Sequence, residues 1–82
     1  MIREGEEFIF RGLGRVKIGD RFKHYKGNIY TVTGGALHTE DQEDLIIYEN
    51  EQGGSFARPA AMFFEEVIAN GEMVNRFTKI EE

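Results

Sequence analysis

The residues point to a small, mostly β domain: an SH3-like barrel of five to six short antiparallel strands with one short helical turn near residues 59–64. Three observations carry this reading. Ten glycines fall among 82 residues, and they separate short apolar alternations, as the turns and bulges of a small β domain require. Residues 21–33 alternate on both sides of a Lys26-Gly27-Asn28 reversal. The single proline, Pro59, stands late in the chain where a helical turn can open. An OB fold fits less well, because it needs a longer chain and a fuller helix.

Each element follows from local chemistry. Residues 1–18 read as an N-terminal lead-in. There Phe8-Ile9-Phe10 is open to forming an extra strand, and Gly12-Leu13-Gly14 breaks any helix. Residues 19–82 read as the single barrel domain. Arg21 to Tyr25 alternates, with Phe22 and His24 on one face. Ile29 to Thr33 returns, rich in β-branched and aromatic residues. Gly34-Gly35 inside the continuing strand to His38 marks a bulge or bend that lets a sheet curl. Residues 38–44 are a polar connection. Leu45-Ile46-Ile47-Tyr48 is apolar on both parities and reads as a strand covered on both sides. Residues 49–55 form a loop, and Ser55 to Arg58 a short strand. Pro59 opens the turn through Phe64, whose Met62, Phe63 and Phe64 plug one end of the core; a phenylalanine that failed to reach the interior would become a dimer contact. Residues 65–69 and 72–80 then form a last hairpin around Asn70-Gly71, both of which tolerate a type I′ turn.

Size and composition exclude several functions. A chain of 82 residues makes one domain with a radius of gyration of roughly 12 Å, too small for a cleft between lobes. The absence of cysteine removes disulfides and thiolate metal sites. The N-terminus places acids where a signal peptide needs cations, and no apolar run approaches the roughly twenty residues of a membrane span. A cytoplasmic setting without membrane contact is the expectation. The net charge of −5 opposes non-specific nucleic-acid binding. Its distribution is uneven: residues 1–26 hold seven bases against four acids, and residues 27–82 hold three bases against eleven acids. That asymmetry marks either a basic face or basic and acidic strands paired across a sheet.

Several blocks carry a resemblance: His24-Tyr25-Lys26-Gly27-Asn28, Tyr30-Thr31-Val32, Ala36-Leu37-His38-Thr39-Glu40, Leu45-Ile46-Ile47-Tyr48, Phe56-Ala57-Arg58-Pro59, Met62-Phe63, Gly71 and Arg76-Phe77. In this order, from Gly19 to Ile80, the chain resembles domain of unknown function family 1653 of bacteria and phages. The resemblance implies a compact, mostly β domain and no particular activity. Phe56 stands where family members often carry tryptophan, and Thr39-Glu40-Asp41 stands where Ser-Glu-Thr is usual.

The polar candidates are His24, Lys26, His38, Glu40 and Arg58, at strand ends and turns, with Tyr30, Tyr48 and Phe56 as aromatic neighbours. A cationic rim over aromatic floors suits a small anionic or nucleotide-like ligand, or a peptide. The leading reading is therefore a non-enzymatic binding module, monomeric or a weak homodimer, without cofactor. One alternative is a nucleic-acid accessory that uses the basic segment 11–26 with Tyr25 and Tyr30 as stacking groups. Another is a minimal hydrolase. It has little to build on: Ser55 is the only serine, and no base and orienting acid pair with it by spacing. His24, His38 and Glu40 contain the donor types of an open metal centre, but their spacing is no metal signature.

Overall fold

The computed structural model describes residues 1–81; Glu82, the last residue of the expected 19–82 domain, lies outside the described residues. The chain starts with a three-stranded antiparallel meander of β1 (Ile2–Glu4), β2 (Glu7–Phe10) and β3 (Gly14–Lys17). Next come β4 (Arg21–His24), β5 (Ile29–Leu37), β6 (Asp44–Asn50) and β7 (Ser55–Pro59), then one helical turn, α1 (Ala60–Phe63). The hairpin β8 (Glu66–Ala69) and β9 (Glu72–Asn75) follows, and β10 (Phe77–Lys79) ends the series. The main sheet has five antiparallel strands in the order β10-β4-β5-β6-β7. The radius of gyration is 12.6 Å.

The small, antiparallel, mostly β domain with one helical turn is as the residues indicate. The closed SH3-like barrel is not: the hydrogen-bonded order stops at β10 on one side and β7 on the other. The two edges approach through side chains instead. The guanidinium carbon of Arg58, on β7, lies 5.7 Å from the ring centroid of Phe77, on β10. The strand count also exceeds the expected five to six, partly because 72–80 is two strands rather than one. Arg76 makes the break. Its N–H donates to the Glu65 carbonyl (3.0 Å), while its own carbonyl accepts the Tyr25 N–H (2.9 Å). The backbone thereby leaves the hairpin and joins β4.

The core is built from aromatic residues. Phe8, Phe10 and Val16 from the meander are buried together with Phe22, Val32, Ile46, Tyr48 and Phe77 of the main sheet and Ala60 and Phe63 of α1. Among the described residues no charged side chain is buried. The rings of Phe63 and Phe77 stack 4.2 Å apart at 8°, and Phe22 meets Phe63 edge-on at 5.0 Å. Each such ring contributes about 1.5–3 kcal/mol by burial. Phe63 and Phe64 both turn inward, Phe64 lying 6.0 Å from Phe10, whereas Met62 is exposed. Pro59 ends β7 opposite Leu45 and caps α1, so it serves strand and helix at once.

The bulge expected at the paired glycines is present. Val32 opposes Tyr48 and Gly34 opposes Ile47, leaving Thr33 as the extra residue. One inserted residue flips the parity of everything after it. Gly35, opposite the core-facing Ile46, therefore turns toward the interior and receives the meander: a Cβ there would stand 2.8 Å from Cδ1 of Phe8. The Asn70-Gly71 turn is also as expected, with φ of +53° and +79°, both in the left-handed region of a type I′ turn.

Phe8 is itself buried and cannot move aside cheaply. Gly35→Ala is expected to lose about 1–3 kcal/mol through overpacking, seen as a lower urea midpoint at unchanged slope. Gly34→Ala has nothing within 4 Å of the added Cβ and is expected to stay within about 0.5 kcal/mol of the parent. Equal behaviour of the two variants would refute the close approach of Phe8.

Candidate functional site

The site begins at the turn after β4. The His24 N–H donates to the Asn28 carbonyl (2.8 Å), and the Gly27 N–H donates to the His24 carbonyl (2.7 Å). The Lys26 N–H donates to Nδ1 of His24 (3.2 Å). A ring nitrogen that accepts carries no proton, so the neutral imidazole holds its hydrogen on Nε2. His24 pairs with Phe77 across β4 and β10. Its ring lies edge-on to Phe77 at 5.0 Å and leans on Tyr25 at 4.6 Å.

Beside it the aromatic cluster continues across the sheet. Tyr30 meets Tyr48 at 5.3 Å and Phe56 at 6.1 Å, and Tyr48 lies 5.9 Å from Phe56. Phe56 opposes Tyr48 and Arg58 opposes Ile46, so Phe56 and Arg58 share the core-facing side of an edge strand. Nε of Arg58 donates to the Tyr48 hydroxyl (3.2 Å). No carboxylate pairs with Arg58 among the described residues. Arg76 differs: it holds Glu65 at 2.6 Å and donates from Nε to the Met62 carbonyl (3.1 Å). Burial holds the His24 imidazole below its ordinary value of 6.5, and the positive charges of Arg58, Arg76 and Lys26 lower it further.

The family model described as "Protein of unknown function (DUF1653)" matches residues 20–79. The chain belongs to the DUF1653 family. No curated protein and no solved structure matches it. The matched span runs from the residue before β4 to the last residue of β10. The DUF1653 unit is thus the five-stranded sheet with α1 and the β8–β9 hairpin, and the meander β1–β3 lies outside it. Every residue of the cluster around His24 and Arg58 falls inside the DUF1653 span.

Of the residues singled out from sequence, His24, Lys26, Tyr30, Tyr48, Phe56 and Arg58 come together at this end of the sheet. Tyr48 is only 4% exposed and serves chiefly through its hydroxyl. Lys26 places Nζ 5.8 Å from the Tyr25 ring centroid. His38 and Glu40 are elsewhere. They follow the far end of β5, whose rise of about 3.3 Å per residue carries them away from Tyr30. There Nδ1 of His38 accepts the Asp41 N–H (3.2 Å) and lies 3.8 Å from the Asp41 carboxylate. His38 thus organises the β5–β6 turn, and Glu40 is exposed on it. The separation prevents His24, His38 and Glu40 from meeting, and no group of three or more metal-ligating side chains converges among the described residues. The basic segment 11–26 spreads over two sheets, and Arg15 faces Glu7 at 3.7 Å.

Arg76 and Phe77 were not among those candidates. Reading 72–80 as one continuous strand concealed the switch at Arg76, although the adjacent Arg-Phe pair was visible. On the other side of His24 lies a groove of about 310 Å³ between the β8–β9 hairpin and the β4–β10 pair, bordered by Tyr25, Asn75 and Thr78.

His24 is expected to titrate below 6.5 in an NMR pH series, and Arg58→Gln is expected to move it upward by removing one of the three charges. A lowered native value means that the unfolded chain takes up the proton first. The stability from neutral His24 is then complete above pH 6.5 and is lost as pH falls from there through the native value. An imidazole that titrates at or above 6.5 would contradict this arrangement.

Proposed function

We propose that this DUF1653 domain is a binding module for a small anion that carries a ring, held where Arg58, His24 and Lys26 border Tyr30 and Phe56. The observation that supports this is the state of Arg58. A guanidinium spread over an aromatic ring, fixed by one hydrogen bond from Nε to Tyr48 and lacking a carboxylate, keeps its two terminal nitrogens available. Those nitrogens suit bidentate capture of a carboxylate or phosphate. In a chain of net charge −5, a site that gathers three cations around one imidazole is a local exception. Phe56, 44% exposed, offers an apolar face beside the charge, the pairing that small-ligand sites use to combine burial with orientation.

Calorimetric titration with phosphorylated and carboxylated ring compounds tests the proposal. A hydrogen bond to a charged group is worth about 1.5–3 kcal/mol, so Arg58→Ala is expected to weaken binding by roughly tenfold or more. Arg58→Lys is expected to recover only part, because it lacks the planar fork. Arg15→Ala, on the meander, should leave affinity unchanged. An anion beside His24 favours the imidazolium, so affinity should rise as pH falls. Absence of binding by all such compounds, or equal affinity in the Arg58→Ala protein, would end the proposal.

A further inference from the structure

We infer that the groove beyond His24 is the second half of this site and takes the base of a nucleoside phosphate whose phosphate rests on Arg58. The inference depends on the reading of Arg58 as the anion holder and adds the chemical class of the ligand. His24 connects the two halves: it touches Phe77 beneath Arg58, and it also borders the groove of about 310 Å³. That volume is at the lower end of small-molecule sites and suits one base with its sugar rather than a larger cofactor.

The groove has the recognition chemistry of a neutral planar ring. Tyr25 supplies an aromatic face, 39% exposed. It is held in advance by the bond from its N–H to the Arg76 carbonyl and by contact with the His24 ring. Stacking on such a face is available to every base. Asn70 and Asn75 offer amides that donate and accept, Thr78 a hydroxyl, and Glu72 a carboxylate that accepts from amino and imino groups. None of these four side chains has a hydrogen-bonding or ionic partner within the protein among the described residues. Lys23 offsets Glu72, so the groove carries no net charge, whereas the Arg58 side is cationic. A ligand with one anionic end and one neutral, hydrogen-bonding end matches that division. A dianion with charge at both ends does not.

Titrations followed by amide NMR with AMP, GMP, CMP and UMP, ribose 5-phosphate and inorganic phosphate separate the two readings. At least one nucleotide is expected to bind about tenfold or more tightly than ribose 5-phosphate, with shifts at Tyr25, Asn75 and Thr78. Glu72→Ala combined with Asn75→Ala, both at exposed hairpin positions, is expected to reduce that nucleotide to the ribose 5-phosphate level while phosphate binding persists. If nucleotides and ribose 5-phosphate bind alike, or the shifts stay on the Arg58 and Phe56 side, the inference is overturned and the anion site stands. If none of the six compounds binds, the inference is overturned, and the anion site is overturned with it when the carboxylated ring compounds also fail to bind.

Discussion

The stack of Phe63 on Phe77 is the contact on which the rest of the architecture depends. Phe63 belongs to a helical turn of four residues, far too short to be stable alone. Phe77 belongs to a strand of three residues at the edge of a sheet. Neither element has enough backbone hydrogen bonding to hold its place. Their rings, parallel and 4.2 Å apart, supply what the backbone lacks, and Phe22 and Tyr48 enclose the pair edge-on at 5.0 and 5.7 Å. Once α1 is docked, Arg76 can reach both the Met62 carbonyl and Glu65. That fixes where the hairpin ends and where β10 begins. The position of His24 follows, because it is registered against Phe77.

The same packing explains the polar end of the molecule. An interior made of rings and aliphatic groups leaves ionic groups to the rim, where His24, Arg58 and Arg76 lie partly covered. Arg58 can lie over the Phe77 ring because a guanidinium is weakly hydrated and tolerates an aromatic face better than an ammonium would. His24 gives up its charge more readily because burial disfavours the imidazolium and the positive charges of Arg58, Arg76 and Lys26 oppose it further. One group fixed as a cation and one inclined to neutrality therefore lie side by side on the same ring.

Much of this was legible in the residues, for identifiable reasons. The Lys26-Gly27-Asn28 reversal, the bulge before Gly35 and the Asn70-Gly71 turn each depend on chemistry confined to a few neighbouring positions, and each appears where the pattern places it. Grouping His24, Lys26, Tyr30, Tyr48, Phe56 and Arg58 was also within reach, because a hairpin and strand parity bring them to one face. Arg76 was hidden because its role is to change sheets, and that depends on Glu65 and Tyr25 rather than on its own neighbours. The distance of His38 was hidden for a different reason. Its position depends on how far β5 continues past the bulge, and an alternating run does not state where a strand will stop. The failure of the sheet to close lies at a seam between β7 and β10, two segments with no sequence relation to each other and no backbone ladder between them.

That seam has a dynamic consequence. Strands joined by backbone ladders separate only when several hydrogen bonds break together, a rare and slow event. Where β7 faces β10 the closure is one long side chain lying across one ring, and side chains change rotamer on the picosecond-to-nanosecond scale. The gap between β7 and β10 can therefore widen and narrow at the speed of a swinging arginine, with no strand peeled from the sheet.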